Sequence, residues 1–354
     1  MRTIVSVQIL RAVAASAVVL AHAQSWLSKM AGAPDALPDL HFVGWFAVDL
    51  FFVISGFIMV YTSESMFGRP DGPKNFMLHR LVRIVPFYWL VTAAYAAMSL
   101  AFPGFDRSYG LDFIAASFLF IPMLNADGAA MPIVGHGWTL NYEMLFYSVF
   151  ALAVFAPRRL AVALASSALV AAVILGKLLV PTSTALAFWT SPLVLQFIYG
   201  MLIGLLYREG LRLAKPLAVA LVIAGCASLY LFRYAAVDTP PHVLLAGFSA
   251  TLVVAGATFG DFSLEGPVWR SLATIGDASY AIYLLHSAPI RGVRFLSRAT
   301  SLDFASAPWL YLGLALAGAI ALGTVIYFVF ERPLTRYLRG LLKPRKLAHA
   351  SAAW

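Results

Sequence analysis

Uninterrupted apolar runs of about twenty residues, one after another, constrain this chain more than any other feature. A helix needs roughly 20 apolar residues to cross the hydrocarbon of a bilayer. Runs bounded by charge, Pro or Gly fall at about 4–26, 42–62, 82–102, 138–156, 160–180, 187–207, 214–233, 242–260, 271–290 and 308–331. Of the 354 residues 61% are hydrophobic and 12% charged. A soluble domain carries roughly twice that charge, so most of this surface must face lipid. The expected fold is all-α: a polytopic integral membrane bundle of about ten transmembrane helices. The weakest span is 271–290, which is interrupted by Asp277, Ser279 and His286. Leu111–Ile121 is apolar but too short to cross, and reads as a re-entrant or interfacial piece.

The net charge is +9, but the basic residues sit in short clusters between apolar runs, as the positive-inside rule predicts. They lack the groove-reading motifs of a nucleic-acid binder, so no nucleic-acid partner is expected. Arg69, Lys74, Arg80 and Arg83 share one side with Arg158, Arg159, Arg208, Arg212, Lys215 and the basic C-terminal stretch if there are ten spans. That side is expected to be cytoplasmic, with both termini inside. Arg291, Arg294 and Arg298 break the rule. Either the count fails there or they face outward for a reason, such as holding an anionic substrate. The first run is too long for the apolar segment of a signal peptide. Residues 1–340 read as one membrane domain and 341–354 as a short basic tail. The single cysteine, Cys226, offers no disulfide or metal spacing and reads as a small buried apolar side chain. No metal is expected.

Charges inside apolar helices are costly, so each one marks a candidate site. Arg11 and His22 stand eleven residues apart in the first run. Eleven steps of 100° return to nearly the same helix face, about 16 Å further on. Asp49 opens a very apolar stretch and wants a cationic partner, with Arg11 or His22 available. Ser55-Gly56 follows it, where helices can approach closely. Arg80 and Arg83, in the loop entering the third run, are one turn apart and match phosphate geometry. Glu143 lies within an otherwise apolar helix that begins Trp138-Thr139-Leu140-Asn141-Tyr142. His286 ends the polar ninth run.

These segments, in this order, resemble the membrane acyltransferase-3 family, which modifies sugars and polysaccharides in bacteria. The resemblance rests on Arg11 and His22, then Val48 to Phe57, Arg80 to Pro86, Trp138 to Glu143 and Ser279 to His286, and covers essentially the whole chain. One departure is that Asn141 and Tyr142 precede Glu143, where the family usually has a second small or acidic residue. The resemblance implies a multi-pass protein of the bacterial inner membrane. It implies a cytoplasmic acyl-CoA donor, acetyl-CoA or another, and an acceptor that is a sugar, polysaccharide or lipid-linked glycan.

The chemistry expected is O-acyl transfer, with O-acetylation the first choice. His22 is the expected general base, since an imidazole titrates near neutral pH. Asp49 or Glu143 is expected to orient it. Arg11, Arg80 and Arg83 are expected to bind the donor, and Ser55, Trp138, Tyr142 and His286 to line the substrate path. No GxSxG elbow occurs, which favours direct transfer over an acyl-enzyme. The rival reading is a transporter or flippase for a sugar or polyprenyl-linked intermediate, because intramembrane charges also mark transport paths. The absence of an internal repeat weighs against it.

Overall fold

The computed structural model describes residues 3–29, 37–101, 109–231, 240–299, 304 and 306–342, and among them the regular structure is helical apart from one isolated bridge. In chain order the helices are α1 (Val5–Leu27), α2 (His41–Thr62), α3 (Gly72–Ala101), α4 (Leu111–Phe118), α5 (Trp138–Ala153), α6 (Arg158–Leu179), α7 (Thr184–Trp189), α8 (Gln196–Arg208), α9 (Lys215–Leu231), α10 (Pro240–Phe259), α11 (Pro267–Asp277), α12 (Ser279–Leu285), α13 (Ser287–Ala299), α14 (Pro308–Ile326) and α15 (Arg332–Leu342). Six stretches among the described residues are long and apolar enough to cross a bilayer: α1, α2, α3, α6, Thr184–Arg208 and Pro308–Leu342. α9 and α10 are apolar but shorter in their described parts. The basic residues from Lys343 onward lie outside the described residues.

Three expectations are corrected. The third helix begins at Gly72, so Arg80 and Arg83 sit on a helix and not in the loop before it. Arginine is a good helix former, and Pro86 is carried inside the helix. The run 271–290 is not one span but α11, α12 and the start of α13, interrupted at Ala278 and His286. Cys226 is exposed. Apolar does not mean inward in lipid, and the residues of α9 recorded as buried are small ones, Ala218 and Gly225.

That inversion runs through the bundle. On α6 the outward residues include Leu160, Leu164, Ile174 and Leu178, while Ala161 and Ala165 face the interior. Lipid is as apolar as leucine, so helices associate by close packing of small residues. α2 is the central helix, packed against α1, α8 and α10. It crosses α8 where Gly56 faces the backbone at Phe197 and Gly200 faces the backbone at Val53. A Cβ at either glycine would strike the opposing main chain. The core beside this crossing is aromatic, with Phe52, Phe57, Phe146 and Phe197 fully buried. These contacts hold α1 and α2 as the frame on which the polar residues are mounted.

Candidate active site

Three histidines from distant segments converge. His22 comes from α1, His136 from the short 3-10 turn ahead of α5, and His286 from the break between α12 and α13. The His22 ring lies 4.8 Å from that of His286, and His136 lies 4.4 Å from His286. His22 Nδ1 is 2.6 Å from His286 Nε2, and His286 Nδ1 is 2.6 Å from the Tyr283 carbonyl oxygen.

The carbonyl settles the tautomers, because it can only accept. His286 therefore carries hydrogen on Nδ1. In the neutral ring its Nε2 is then the acceptor, so His22 donates from Nδ1. His22 Nε2 keeps its lone pair. The same contact explains the helix break. In an unbroken helix the Tyr283 carbonyl would accept from the amide of residue 287; here the imidazole competes for it. His136 donates from Nε2 to the Leu284 carbonyl at 3.2 Å. Among the described residues no group of three or more His, Cys, Asp or Glu side chains is arranged to hold a metal ion.

Below the histidines lies a cavity of about 500 Å³, within the usual range for a small-molecule site. Arg11, Ser55, Arg80, Arg83, Glu143, Thr139 and Tyr283 line it. It runs from the N-terminal end of α1 and the C-terminal end of α2 inward. Tyr283 closes its inner end: the phenol donates to the His136 carbonyl at 2.5 Å and meets Thr139 Oγ1 at 2.8 Å. Arg11 is buried and donates to Ser279 Oγ at 2.8 Å and Gln8 Oε1 at 3.0 Å. Asp277, Glu331 and Glu143 are within electrostatic reach of it. Glu331 is buried at the end of a π-turn, Tyr327–Glu331, between α14 and α15, a local distortion that often marks functional positions. Glu143 accepts from the Tyr147 hydroxyl at 2.7 Å, and Ser55 bonds that same phenol.

At the open end Arg80 donates to Thr62 at 2.8 Å and lies over the Phe76 ring. Its buried Nε has no hydrogen-bond partner among the described residues. His79, Arg83 and Arg339 line the same mouth. Arg339 is carried there by α15, which packs on α3.

The sequence-derived residues therefore divide. Arg11, Ser55, Arg80, Arg83 and Glu143 share the cavity; His22 and His286 share the histidine cluster. Asp49 belongs to neither group: it is buried between α2 and α8 and accepts from Gln196. The side chain in contact with the His22 ring nitrogen is His286, while Asp49 meets Gln196 and Glu143 meets Tyr147. Trp138 and Tyr142 sit in an aromatic cluster, where Trp138 pairs with Trp45 and Tyr142 stacks on Phe188 at 4.0 Å; neither lines the cavity. His136, Thr139, Tyr283 and Arg339 escaped the sequence reading. The His-Gly-Trp string and the arginine-rich amphipathic α15 were the available signals.

Near His22, Ser25 Oγ stands 2.8 Å from His41 Nε2, and His41 Nδ1 stands 2.9 Å from Asp39. The His41 backbone amide bonds Asp39, which holds its carboxyl below the usual value against the opposing effect of partial burial, and the imidazole adds to the lowering. Ser25 also donates to the Ala21 carbonyl at 3.0 Å. Its amide lies within α1, so it is not a free oxyanion donor. The trio ties the end of α1 to the start of α2.

A helical bundle with stretches long enough to cross a bilayer thus holds a polar cavity beneath three converging histidines. The chain belongs to the family described as acyltransferase domain, whose profile matches residues 4–328. It is a multi-pass membrane acyltransferase. It is 37% identical over 305 residues to the exopolysaccharide production protein ExoZ of Rhizobium meliloti, covering 84% of this chain and 91% of that protein. It is 27% identical over 362 residues to the acyltransferase MdmB of Streptomyces mycarofaciens, covering 92% of this chain and 89% of that protein. No solved structure matches it significantly.

Proposed function

We propose that the protein takes an acyl group, acetyl first among candidates, from cytoplasmic acyl-CoA and passes it directly to a sugar hydroxyl of an exopolysaccharide, O-antigen or lipid-linked glycan. The CoA phosphates sit at the mouth formed by Arg80, Arg83 and Arg339, where guanidinium donors match phosphate oxygens. The pantetheine arm follows the cavity past Arg11 toward Tyr283. His22 Nε2 removes the proton of the acceptor hydroxyl. The oxygen attacks the thioester carbonyl, the C–S bond breaks, and the imidazolium returns the proton to the departing thiolate. Each step conserves charge and needs no cofactor beyond the donor.

The observation that carries this reading is the His22–His286 contact, because it leaves a lone pair on the first-helix imidazole above a cavity of about 500 Å³. The relatives' names, an exopolysaccharide production protein and an acyltransferase, support the acceptor class and the reaction. Purified protein in nanodiscs with radiolabelled acetyl-CoA and oligosaccharides from the host polysaccharide tests it. Label should enter the glycan with one CoA released per acyl group, and His22→Ala should abolish both. Glycan movement without thioester consumption would assign a transporter instead.

A further inference from the structure

One cluster of cations has no part in donor binding or proton transfer. Trp26 lies four residues beyond His22 on α1, about 6 Å along the axis on nearly the same face. Three cations stand over its indole. Lys29 Nζ is 5.6 Å from the ring centre, Arg291 Cζ 5.7 Å and Arg294 Cζ 5.3 Å. Arg291 is also 5.9 Å from the Tyr95 ring. The two arginines follow His286 directly on α13, which packs against α1. The two chain segments that bring His22 and His286 together therefore run straight on into this cluster. It lies at the opposite end of α1 from the Arg80 mouth.

Lys29 and Arg294 bring positive charge to the indole that the ring does not neutralise. An indole face attracts cations and leaves their charge available to an anion. Lys29 and Arg294 stand in none of the ion pairs recorded among the described residues. Simple anchoring in lipid headgroups would spread such side chains outward around the rim. Here they converge on a half-buried tryptophan that packs on the core formed by Ala23, Leu27, Ile290 and Tyr311. Guanidinium forks pair with carboxylates in two parallel hydrogen bonds and fix orientation as well as charge.

We propose that Trp26, Lys29, Arg291 and Arg294 form the acceptor subsite, and that the acceptor it selects is an acidic glycan, held through a sugar carboxylate. The proposal rests on the reading that acyl transfer occurs at His22. A carboxylate seated over Trp26 leaves a hydroxyl of the same or the next sugar one helical turn away, at the imidazole. Acceptor charge then sets specificity at one end of the bundle while donor phosphates are read at the other.

The test uses the full chain in phosphatidylcholine nanodiscs, with trigalacturonate and its carboxyl-reduced neutral counterpart as probes. Calorimetry should show the acidic trimer binding about tenfold more tightly, the scale of one charge-assisted contact. The double variant K29Q/R294Q should erase that preference and leave the neutral trimer's affinity as it was. The exposed-site control R270Q should bind both trimers as the native chain does. In acetyl transfer the double variant should raise KM for the acidic trimer at unchanged kcat. Equal affinity of the native chain for the two trimers overturns the proposal. So does a preference that survives in K29Q/R294Q, or one that vanishes when phosphatidylglycerol is added, which would give the cluster to lipid. Absence of transfer to either trimer with charge-selective binding intact would remove the transfer reading and keep the subsite.

Discussion

His22 Nδ1 and His286 Nε2 are 2.6 Å apart although 264 residues separate them. The pair works only in one direction, since the Tyr283 carbonyl holds the far nitrogen of His286. His286 is thus a positioning residue for the His22 imidazole. A glutamine amide oxygen can still accept from His22 Nδ1, whereas a leucine cannot. His286→Gln should keep about a tenth of kcat, and His286→Leu should lose about 100-fold or more, the usual worth of a general base. KM for the donor should stay constant in both. The pH–rate profile should change shape in His286→Leu and keep it in His286→Gln. Equal losses in the two variants, with an unaltered profile, would reduce His286 to packing.

The helical architecture was legible because intramembrane backbone has few solutions. Arg11, His22, Arg80, Arg83 and Glu143 were legible because charge in an apolar run is conspicuous. What escaped was partnership. Helical periodicity places Arg11 and His22 on one stripe, but nothing in it says that a residue on α13's threshold meets His22 while Asp49 turns to Gln196. His136 was hidden for another reason: it lies in a three-residue 3-10 turn after an irregular segment, where there is no register to extrapolate. The outward leucines of α6 and exposed Cys226 show that burial direction in lipid cannot be read from hydrophobicity alone.

Arg80 offers a second measurement. Its buried Nε has no protein partner among the described residues, and the role proposed for it is phosphate binding. Arg80→Gln should raise KM for acetyl-CoA by about 10-fold to 100-fold, the range for a lost charge-assisted bond, while kcat changes little. Arg339→Gln should act in the same direction and less strongly. Donor analogues lacking the 3′-phosphate should show a smaller penalty in whichever variant has lost the group that reads that phosphate. An unchanged KM in Arg80→Gln and Arg339→Gln together would move the donor elsewhere.

Ser25 separates direct transfer from a covalent intermediate. It stands 2.8 Å from His41, which in turn bonds Asp39, an arrangement that resembles a hydrolase triad in connectivity. Its hydroxyl also donates to the Ala21 carbonyl and its amide lies within α1, so it should not carry an acyl group. Ser25→Ala should therefore keep acetyl transfer within about twofold of native, and mass spectrometry of protein quenched during turnover should find no acylated Ser25. Loss of transfer in Ser25→Ala, with His22→Ala still trapping an acyl-enzyme, would replace the direct mechanism with a two-step one.

The α2–α8 crossing gives a stability test. Gly200 faces the backbone at Val53 with no room for a side chain. Gly200→Leu should force the helices apart at a cost of about 1–3 kcal/mol or more, seen as a lower unfolding temperature in detergent and loss of the monodisperse peak. Cys226→Leu, on the exposed face of α9, should leave both unchanged. Equal behaviour of the two variants would mean that the crossing is not close-packed.

Tyr283 stands between the cavity and the histidines, held by Thr139 at 2.8 Å and by the His136 carbonyl. A thioester that travels up the cavity meets this phenol before it meets His22, so the hydrogen bonds must open for transfer and close against water otherwise. Tyr283→Phe removes both bonds and keeps the ring, and Thr139→Val removes one. Both variants should release CoA from acetyl-CoA faster in the absence of any glycan, Tyr283→Phe by about tenfold, the change that follows from about 1.4 kcal/mol of lost closure. Coupling to the acceptor should fall correspondingly, with less label in glycan per CoA released. A catalytic role for the phenol would give the opposite sign, with slower CoA release in both the presence and the absence of glycan. Measuring the two rates in one preparation decides whether Tyr283 partitions the site or takes part in the chemistry.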